Sequence, residues 1–242
     1  MNQRPWDDDT FTAKLREVGS SSYHDKHPFH VLMNSGRLGR EAIQTWVTNR
    51  FYYQTCIPIK DAAILSNCPH REVRRLWLHR IVDHDGTQDD EGGIGAWLRL
   101  GEACGLSREE LLAGRQVIPG VRFAVDAYVN FARTQPWPIA VASSLTELFA
   151  PDLMAQRLAA FERYYPWVEP RGLEYFKNRL TQARRDSGEA LTLTLTHCAT
   201  PEMQESAVRA LRFKCDLLWA MLESIHHACP APAAGSQQPG PS

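Results

Sequence analysis

The sequence predicts an all-α protein with a single domain. Apolar residues recur at steps of three and four along most of the 242 residues, and no long stretch alternates polar and apolar residues as a half-buried strand would. Hydrophobic residues make up 43% of the chain and charged residues 23%, a balance that supports a substantial core. No linker-like segment divides residues 1–229, so we assign them to one helical domain and expect the Pro/Ala/Gly-rich residues 230–242 to form a disordered tail.

The helices follow from periodicity and from terminal signals. Ser107 with Glu110 is a capping box, Thr200 is an N-cap and Pro201 suits a first helical position, whereas Pro58 should kink or interrupt a helix. The predicted helices run over about 7–18, from near residue 40 past residue 57, then over about 71–83 and 94–103. After a short helix following residue 107, they run over about 121–132, 139–161 with a bend at Pro151, 170–197 and 201–225.

Charge and cysteine content narrow the function classes. The net charge of −1 gives no reason to expect a nucleic acid or an anionic membrane as partner. No apolar run is long enough for a transmembrane helix, and the N-terminus has no apolar segment typical of a secretory signal. The six cysteines are dispersed without a CxxC pair, which indicates buried free thiols in a reducing cytoplasm.

Several predicted helices carry polar residues among large apolar ones, and many of these are one turn apart and share a face. They include Arg50 with Gln54, Lys60 with Asp61, Arg80 with His84, Tyr175 with Arg179, the series Thr146, Glu147, Met154 and Arg157, and the single residue Lys214. His24 lies outside the predicted helices, in a segment that could be a polar turn. Each pair alone is compatible with a solvated helix face. Several cations that converge on one pocket would instead bind a small, multiply carboxylated anion, with Tyr and His as proton donors and acceptors.

The motifs of other helical or nucleotide-dependent enzymes are missing. A di-iron bundle needs two Glu-x-x-His motifs, and only the one formed by Glu223 and His226 occurs, near the end of the last helix. No GxGxxG, Walker A or HExxH motif is found. We therefore expect no metal site.

Six segments are similar to the pyrroloquinoline-quinone synthase family, and together they span about residues 23–222. They are HPFH at 27–30, NRFYYQ at 49–54, IPIKDAAIL at 57–65, DHDG at 83–86, PGVRFAVDAY at 119–128 and SSLTELFAP at 143–151. The resemblance implies a heme-oxygenase-like helical bundle without heme that acts as a homodimer. It also implies an oxidoreductase that uses O2 to close a ring in, and oxidise, a carboxylated quinone precursor, with release of H2O2.

The resemblance also implies a set of site residues. It places His84, Tyr175, Arg179 and His24 at the reacting face of the ligand. It places the following residues around the rest of the ligand: Tyr23, Arg50, Gln54, Lys60, Arg80, Tyr128, Thr146, Glu147, Met154, Arg157 and Lys214. This chain departs from the family at Met154, where a histidine is usual, and a thioether cannot shuttle a proton.

Three other functions stay open at the level of sequence. A thiamin-salvage-type hydrolase would need a cysteine nucleophile, for which Cys56 or Cys215 could serve. A heme oxygenase would use His24 or His27 as the axial ligand. A non-catalytic carrier would bind a quinone and release it unchanged.

Overall fold

Eleven α-helices account for most of residues 4–229, the part of the chain that the computed structural model describes, and these residues contain no strand. The all-α prediction is confirmed, while the predicted tail at 230–242 lies outside the described residues. The helices are α1 Asp8–Ser22, α2 Pro28–Asn34, α3 Arg40–Asn67, α4 Arg71–Asp85, α5 Gly92–Ala103, α6 Arg108–Ala113, α7 Pro119–Thr134, α8 Trp137–Ser143, α9 Ala150–Tyr164, α10 Glu174–His197 and α11 Pro201–Ala228.

Local signals set several of the helix ends as predicted. Ser107 Oγ accepts a hydrogen bond from the Glu110 amide at 3.4 Å, and Thr200 Oγ1 accepts one from the Met203 amide at 3.3 Å. α10 begins after one 3-10 turn, Pro170–Leu173, close to the predicted start. These caps satisfy amide groups that have no partner inside the helix.

Two sequence-based expectations about proline are wrong. Pro58 does not interrupt α3, which runs unbroken from Arg40 to Asn67. Packing of α3 against α4, α5 and α7 outweighs the loss of one backbone hydrogen bond at the proline. Pro151 lies in the first turn of α9, where its missing N–H costs nothing, so it begins a helix instead of bending one.

The predicted helix at 139–161 is therefore two helices. α8 ends at Ser143, a 3-10 turn occupies Ser144–Leu148, and α9 begins at Ala150. The short helix α2 and the 3-10 turn His24–Lys26 were also missed, because neither is long enough to show a period. The 3-10 turns His24–Lys26 and Ser144–Leu148 both carry residues of the candidate site.

The long helices α3, α10 and α11 form the frame. α3 packs on α4, α5 and α7. α11 packs on α1, α7 and α8. α10 packs on α8, α9 and the 3-10 turn Ser144–Leu148. Four aromatic side chains, Trp46, Trp97, Phe161 and Phe176, fill the core between α3, α5, α9 and α10, with ring centroids 5.3 to 6.5 Å apart. These rings pack α3, α5, α9 and α10 together on one side of the candidate site.

Two further expectations concern cysteine and membranes. All six cysteines are free and five of them are buried, as predicted, whereas Cys229 is partly exposed. Within residues 4–229, no helix combines the length and the apolar character needed to cross a bilayer.

Gly19 in α1 lies against Phe149, the residue that follows the 3-10 turn Ser144–Leu148. A Cβ at this position would lie 1.9 Å from the Phe149 ring, so Gly19→Ala must displace that ring. We expect a loss of about 1–3 kcal/mol in the free energy of unfolding. Gly188→Ala in α10 is the matched control, because a Cβ there meets no atom within 4 Å and alanine favours a helix. Equal stability of both variants in urea unfolding would contradict the packing assigned to Gly19.

Candidate active site

A small cavity of about 60 Å³ lies where α3, α4, α9, α10 and α11 meet the 3-10 turns His24–Lys26 and Ser144–Leu148. It has room for a few water molecules. The residues that line it are Tyr23, His24, Arg50, Tyr53, Ile57, His84, Thr146, Glu147, Ala150, Met154, Tyr175, Arg179 and Leu218. The break between α8 and α9 brings Thr146 and Glu147 to this cavity, since a continuous helix would follow a different path.

The structure brings nine of the predicted site residues to the cavity wall. These are Tyr23, His24, Arg50, His84, Thr146, Glu147, Met154, Tyr175 and Arg179. The other six are buried behind that wall and do not line the cavity: Gln54, Lys60, Arg80, Tyr128, Arg157 and Lys214. Residues from distant parts of the sequence therefore form one polar centre, and the reading of their pairs as solvated faces is wrong.

One group of buried cations is neutralised by carboxylates. Lys60 Nζ lies 2.5 Å from Asp61 Oδ1, and Arg80 bonds Glu147 directly. Arg179 bridges Glu147 at 3.4 Å and Asp186 at 3.3 Å. Burial in a low-dielectric interior makes each unpaired charge costly, so these partners compensate one another.

A second group of cations has no carboxylate partner among residues 4–229. Lys214 Nζ donates to Tyr53 Oη at 2.7 Å and lies 3.4 Å from the centroid of the Tyr128 ring. The Arg50 guanidinium stacks on the Tyr53 ring at 3.9 Å, and Arg157 donates to His30 Nε2 at 2.9 Å. Aromatic faces and neutral acceptors hold these cations while their positive charge stays uncompensated.

Burial changes the pKa values of Lys214 and Arg157. Desolvation, followed by repulsion from Arg50, lowers the pKa of Lys214 well below its ordinary value and that of Arg157 to about 9. A bound anion would relieve both effects, because it supplies the missing negative charge.

Several buried nitrogen atoms near the cavity have no hydrogen-bond partner in the described chain. They are His24 Nδ1, Arg50 Nη1, Gln54 Nε2 and Arg157 Nε. Buried polar groups in folded proteins are nearly always bonded, so a cluster of unbonded ones indicates a binding site. Three of the four are obligate donors, which fits a ligand rich in carboxylate and carbonyl oxygens.

Three residues of the predicted reacting face share one part of the cavity wall. His84 Nδ1 bonds the Arg80 carbonyl oxygen at 3.0 Å, which makes Nδ1 the donor and leaves Nε2 with a lone pair. Burial, followed by repulsion from Arg179, lowers the pKa of His84 to about 4. Tyr175 Oη donates to Gln54 Oε1 at 3.0 Å. The wall therefore combines a neutral imidazole, a phenol and a guanidinium.

Sequence reasoning missed four residues of this centre. Tyr53 lines the cavity and was not among the predicted site residues, although it stands three residues from Arg50 on the same face of α3. Asp186 is two turns after Arg179 on α10, so helical spacing could have indicated it. Asp61 and His30 gave weaker signals: Asp61 was noted only beside Lys60, and His30 lies in a helix too short to show a period.

One group of side chains among residues 4–229 brings three metal-ligand atoms within 4.8 Å of one another, namely His79, Asp186 and Glu189. Asp186 already bonds Arg179 and Arg185, and the three arginines around it lower its pKa to about 2. These positive charges oppose the binding of a cation at this position.

The cysteines proposed as nucleophiles are unsuited to that role. Burial raises the pKa of Cys56 and raises that of Cys215 to about 12, so both thiols are protonated at neutral pH. Neither residue lines the cavity.

Comparison with solved structures shows the class of fold to which this chain belongs. A TenA homologue from Pseudomonas syringae pv. tomato superposes with a TM-score of 0.75 over 94% of this chain and 98% of its own, at 14% identity. A domain with a heme oxygenase-like fold from Shewanella denitrificans gives a TM-score of 0.69 over 90% of each chain, at 13% identity. This confirms the predicted heme-oxygenase-like fold.

The sequence comparisons show the family. The model of the TENA/THI-4/PQQC family matches residues 12–224, so the chain belongs to that family. A pyrroloquinoline-quinone synthase from Cronobacter sakazakii is 57% identical over 92% of this chain and 88% of its own length. One from Pseudomonas aeruginosa is 56% identical over 94% of this chain and 91% of its own length.

The buried neutral histidines make stability depend on pH. Burial lowers the pKa of His24, His30 and His84 below the ordinary value of 6.5. Below pH 6.5 the unfolded chain therefore binds more protons than the folded protein, and stability falls as the pH drops towards 4. Each histidine contributes a slope of about 1.4 kcal/mol per pH unit.

We expect denaturant unfolding at several pH values between 7.5 and 4.5 to show this fall. His84→Gln removes one of the three titrating rings, so its slope should be shallower than that of the wild type. A stability that stays level from pH 7 to 5 would show that these rings are not held neutral.

Proposed function

We propose that this chain is a pyrroloquinoline-quinone synthase. The observation that carries the proposal is the set of uncompensated cations, the half-buried Arg50 and the buried Arg157 and Lys214, around a cavity that also contains neutral histidine and tyrosine side chains. A multiply carboxylated quinone supplies the negative charge and the acceptor atoms that these side chains lack. The relatives that are 54–57% identical and carry this name support the same reaction.

In the proposed reaction, O2 oxidises the bound precursor in a conversion that also closes a ring. The quinone system of the precursor itself carries the electrons, so we propose that no metal or organic cofactor takes part. Each two-electron step transfers two electrons and two protons to O2 and yields H2O2. Arg157 and Lys214 are buried and do not line the cavity in this structure, so we propose that the wall rearranges when the precursor binds.

The proposed roles follow from the positions of the side chains. Arg50, Arg157 and Lys214 hold carboxylates of the ligand. His84 and Arg179 lie together at the cavity wall, where a lone pair and a positive charge can accept a proton and stabilise a reduced oxygen species. Lys60 and Arg80 do not line the cavity and are neutralised by Asp61 and Glu147, so we assign them to positioning instead of ligand contact.

We further propose that the protein acts as a homodimer in the cytoplasm, with the quinone precursor and O2 as its partners. The six free cysteines are in keeping with a reducing compartment. The high pKa of Cys56 and Cys215 disfavours a thiol-dependent hydrolase.

Conversion of the precursor under O2 is the decisive experiment. We expect purified protein to form pyrroloquinoline quinone and H2O2 in air, with unchanged activity after dialysis against a chelator. A carrier would bind the quinone and convert nothing. A loss of activity on chelation that iron or copper restores would rule out the cofactor-free reaction.

Removing one uncompensated cation tests the binding step. Arg50→Ala should weaken binding of pyrroloquinoline quinone by about 1.5–3 kcal/mol, the contribution of one charge-assisted hydrogen bond. Arg209→Ala is the matched control, because Arg209 is exposed and pairs only with neighbours on α11. Equal affinity of both variants in a calorimetric titration would exclude Arg50 from the ligand site.

Met154 allows a test of the departure from the family. Met154 lines the cavity together with His24 and His84, two neutral rings that can carry a proton in place of the usual histidine. We expect the native protein to complete the reaction, and Met154→His to change the rate by about tenfold or less. Met154→Leu controls for volume. Release of an intermediate by the native protein, with full conversion restored by Met154→His, would identify the chain as an impaired variant.

A further inference from the structure

His30 connects two parts of the candidate site and is itself 2% exposed. Its Nε2 lies 2.9 Å from Arg157 Nη2 on α9. Its Nδ1 lies 2.9 Å from the backbone oxygen of His24, a residue of the cavity wall that begins the 3-10 turn His24–Lys26. One side chain on the short helix α2 therefore joins α9 to that turn.

The two contacts determine the form of the ring. A carbonyl oxygen only accepts hydrogen bonds, so Nδ1 carries the hydrogen and donates to His24. Nε2 then has a lone pair that accepts from the guanidinium. A proton on Nε2 would face an arginine N–H at 2.9 Å, so the contact requires a neutral ring, in accord with the lowered pKa of His30.

Arg157 is held without being neutralised. Its guanidinium lies over the Trp46 ring at 4.9 Å, its Nε has no partner in the described chain, and no carboxylate lies within 4 Å of it among residues 4–229. Arg157 is one turn beyond Met154, which lines the cavity, so it faces the same side of α9. A carboxylate in place of His30 would hold the guanidinium equally well and would cancel its charge.

We propose that His30 is a positioning residue for ligand carboxylates: it orients Arg157 through a neutral acceptor and leaves the whole guanidinium charge for an anionic group of the ligand. The identification of the ligand as a quinone rests on the proposed function. The expectation that the ligand carries a carboxylate rests on the uncompensated charge of Arg157.

Three substitutions separate orientation from charge. His30→Gln keeps a neutral acceptor near Nε2, His30→Leu removes the acceptor, and His30→Glu keeps the acceptor and adds a negative charge. Binding is measured by equilibrium dialysis with two probes, pyrroloquinoline quinone and benzene-1,3,5-tricarboxylate. Urea unfolding of the same samples reports stability.

We expect His30→Gln to bind both probes within about threefold of the wild type. His30→Leu and His30→Glu should each bind at least about tenfold more weakly, the effect of one charge-assisted hydrogen bond. A purely structural role predicts the opposite for glutamate, which would hold Arg157 more firmly. In turnover, His30→Leu should raise KM for the precursor more than it lowers kcat.

His27→Leu is the matched control. His27 is a buried histidine at the start of the same segment, and its side chain meets Glu223 at 3.3 Å and the Phe29 amide, not a cation of the site. This variant should lose stability and keep its probe affinity within about threefold. In an Arg157→Ala background, His30→Leu should change affinity by less than about twofold, because the residue acts through Arg157.

The outcomes separate this inference from the proposed function. Wild-type-like affinity of His30→Glu, or an equal effect of His30→Leu with and without Arg157, overturns the role of His30 and leaves the synthase proposal standing. The expected binding pattern without any conversion of the precursor overturns the synthase proposal and supports the role of His30. Failure of the wild type to bind either probe overturns both.

Discussion

The ion network centred on Glu147 and Asp186 is the interaction on which the rest of the site depends. Glu147 bonds Arg80 and Arg179, and Asp186 bonds Arg179 on the same helix. The network ties α4 and α10 to the 3-10 turn between α8 and α9. Removal of one partner would leave a buried charge uncompensated, so these three elements adopt one relative position. Arg80 then places His84 through its backbone carbonyl, and Arg179 places Tyr175 one turn earlier on α10.

The buried cations of this protein fall into two kinds with different consequences. Lys60, Arg80 and Arg179 are neutralised by nearby acids and give the centre its geometry. Arg50, Lys214 and Arg157 are held by aromatic rings and neutral acceptors, and the burial of Lys214 and Arg157 costs stability because it disfavours their charge. A protein that keeps such a costly arrangement gains a binding site whose charge is not already cancelled.

Local sequence signals predicted the fold well where the chain is regular. Caps at Ser107 and Thr200 and the apolar period of the long helices were confirmed. Prediction failed at Pro58 and Pro151, because a proline has opposite effects in a helix interior and in the first turn of a helix. Only the packing of the segment decides where the helix begins. The missed elements, α2 and the turn at His24, are shorter than the windows in which a period is visible.

The sequence by itself determined the helical class, the single domain, the resemblance to a family and the set of polar residues placed among apolar neighbours. These follow from spacing along one chain, which tells which residues share a helix face. Only the tertiary structure decided which cations are neutralised, because the acids at 61, 147 and 186 come from three different elements. It also decided that His30 meets Arg157, two residues 127 positions apart, since helix periodicity carries no information about what lies opposite a face.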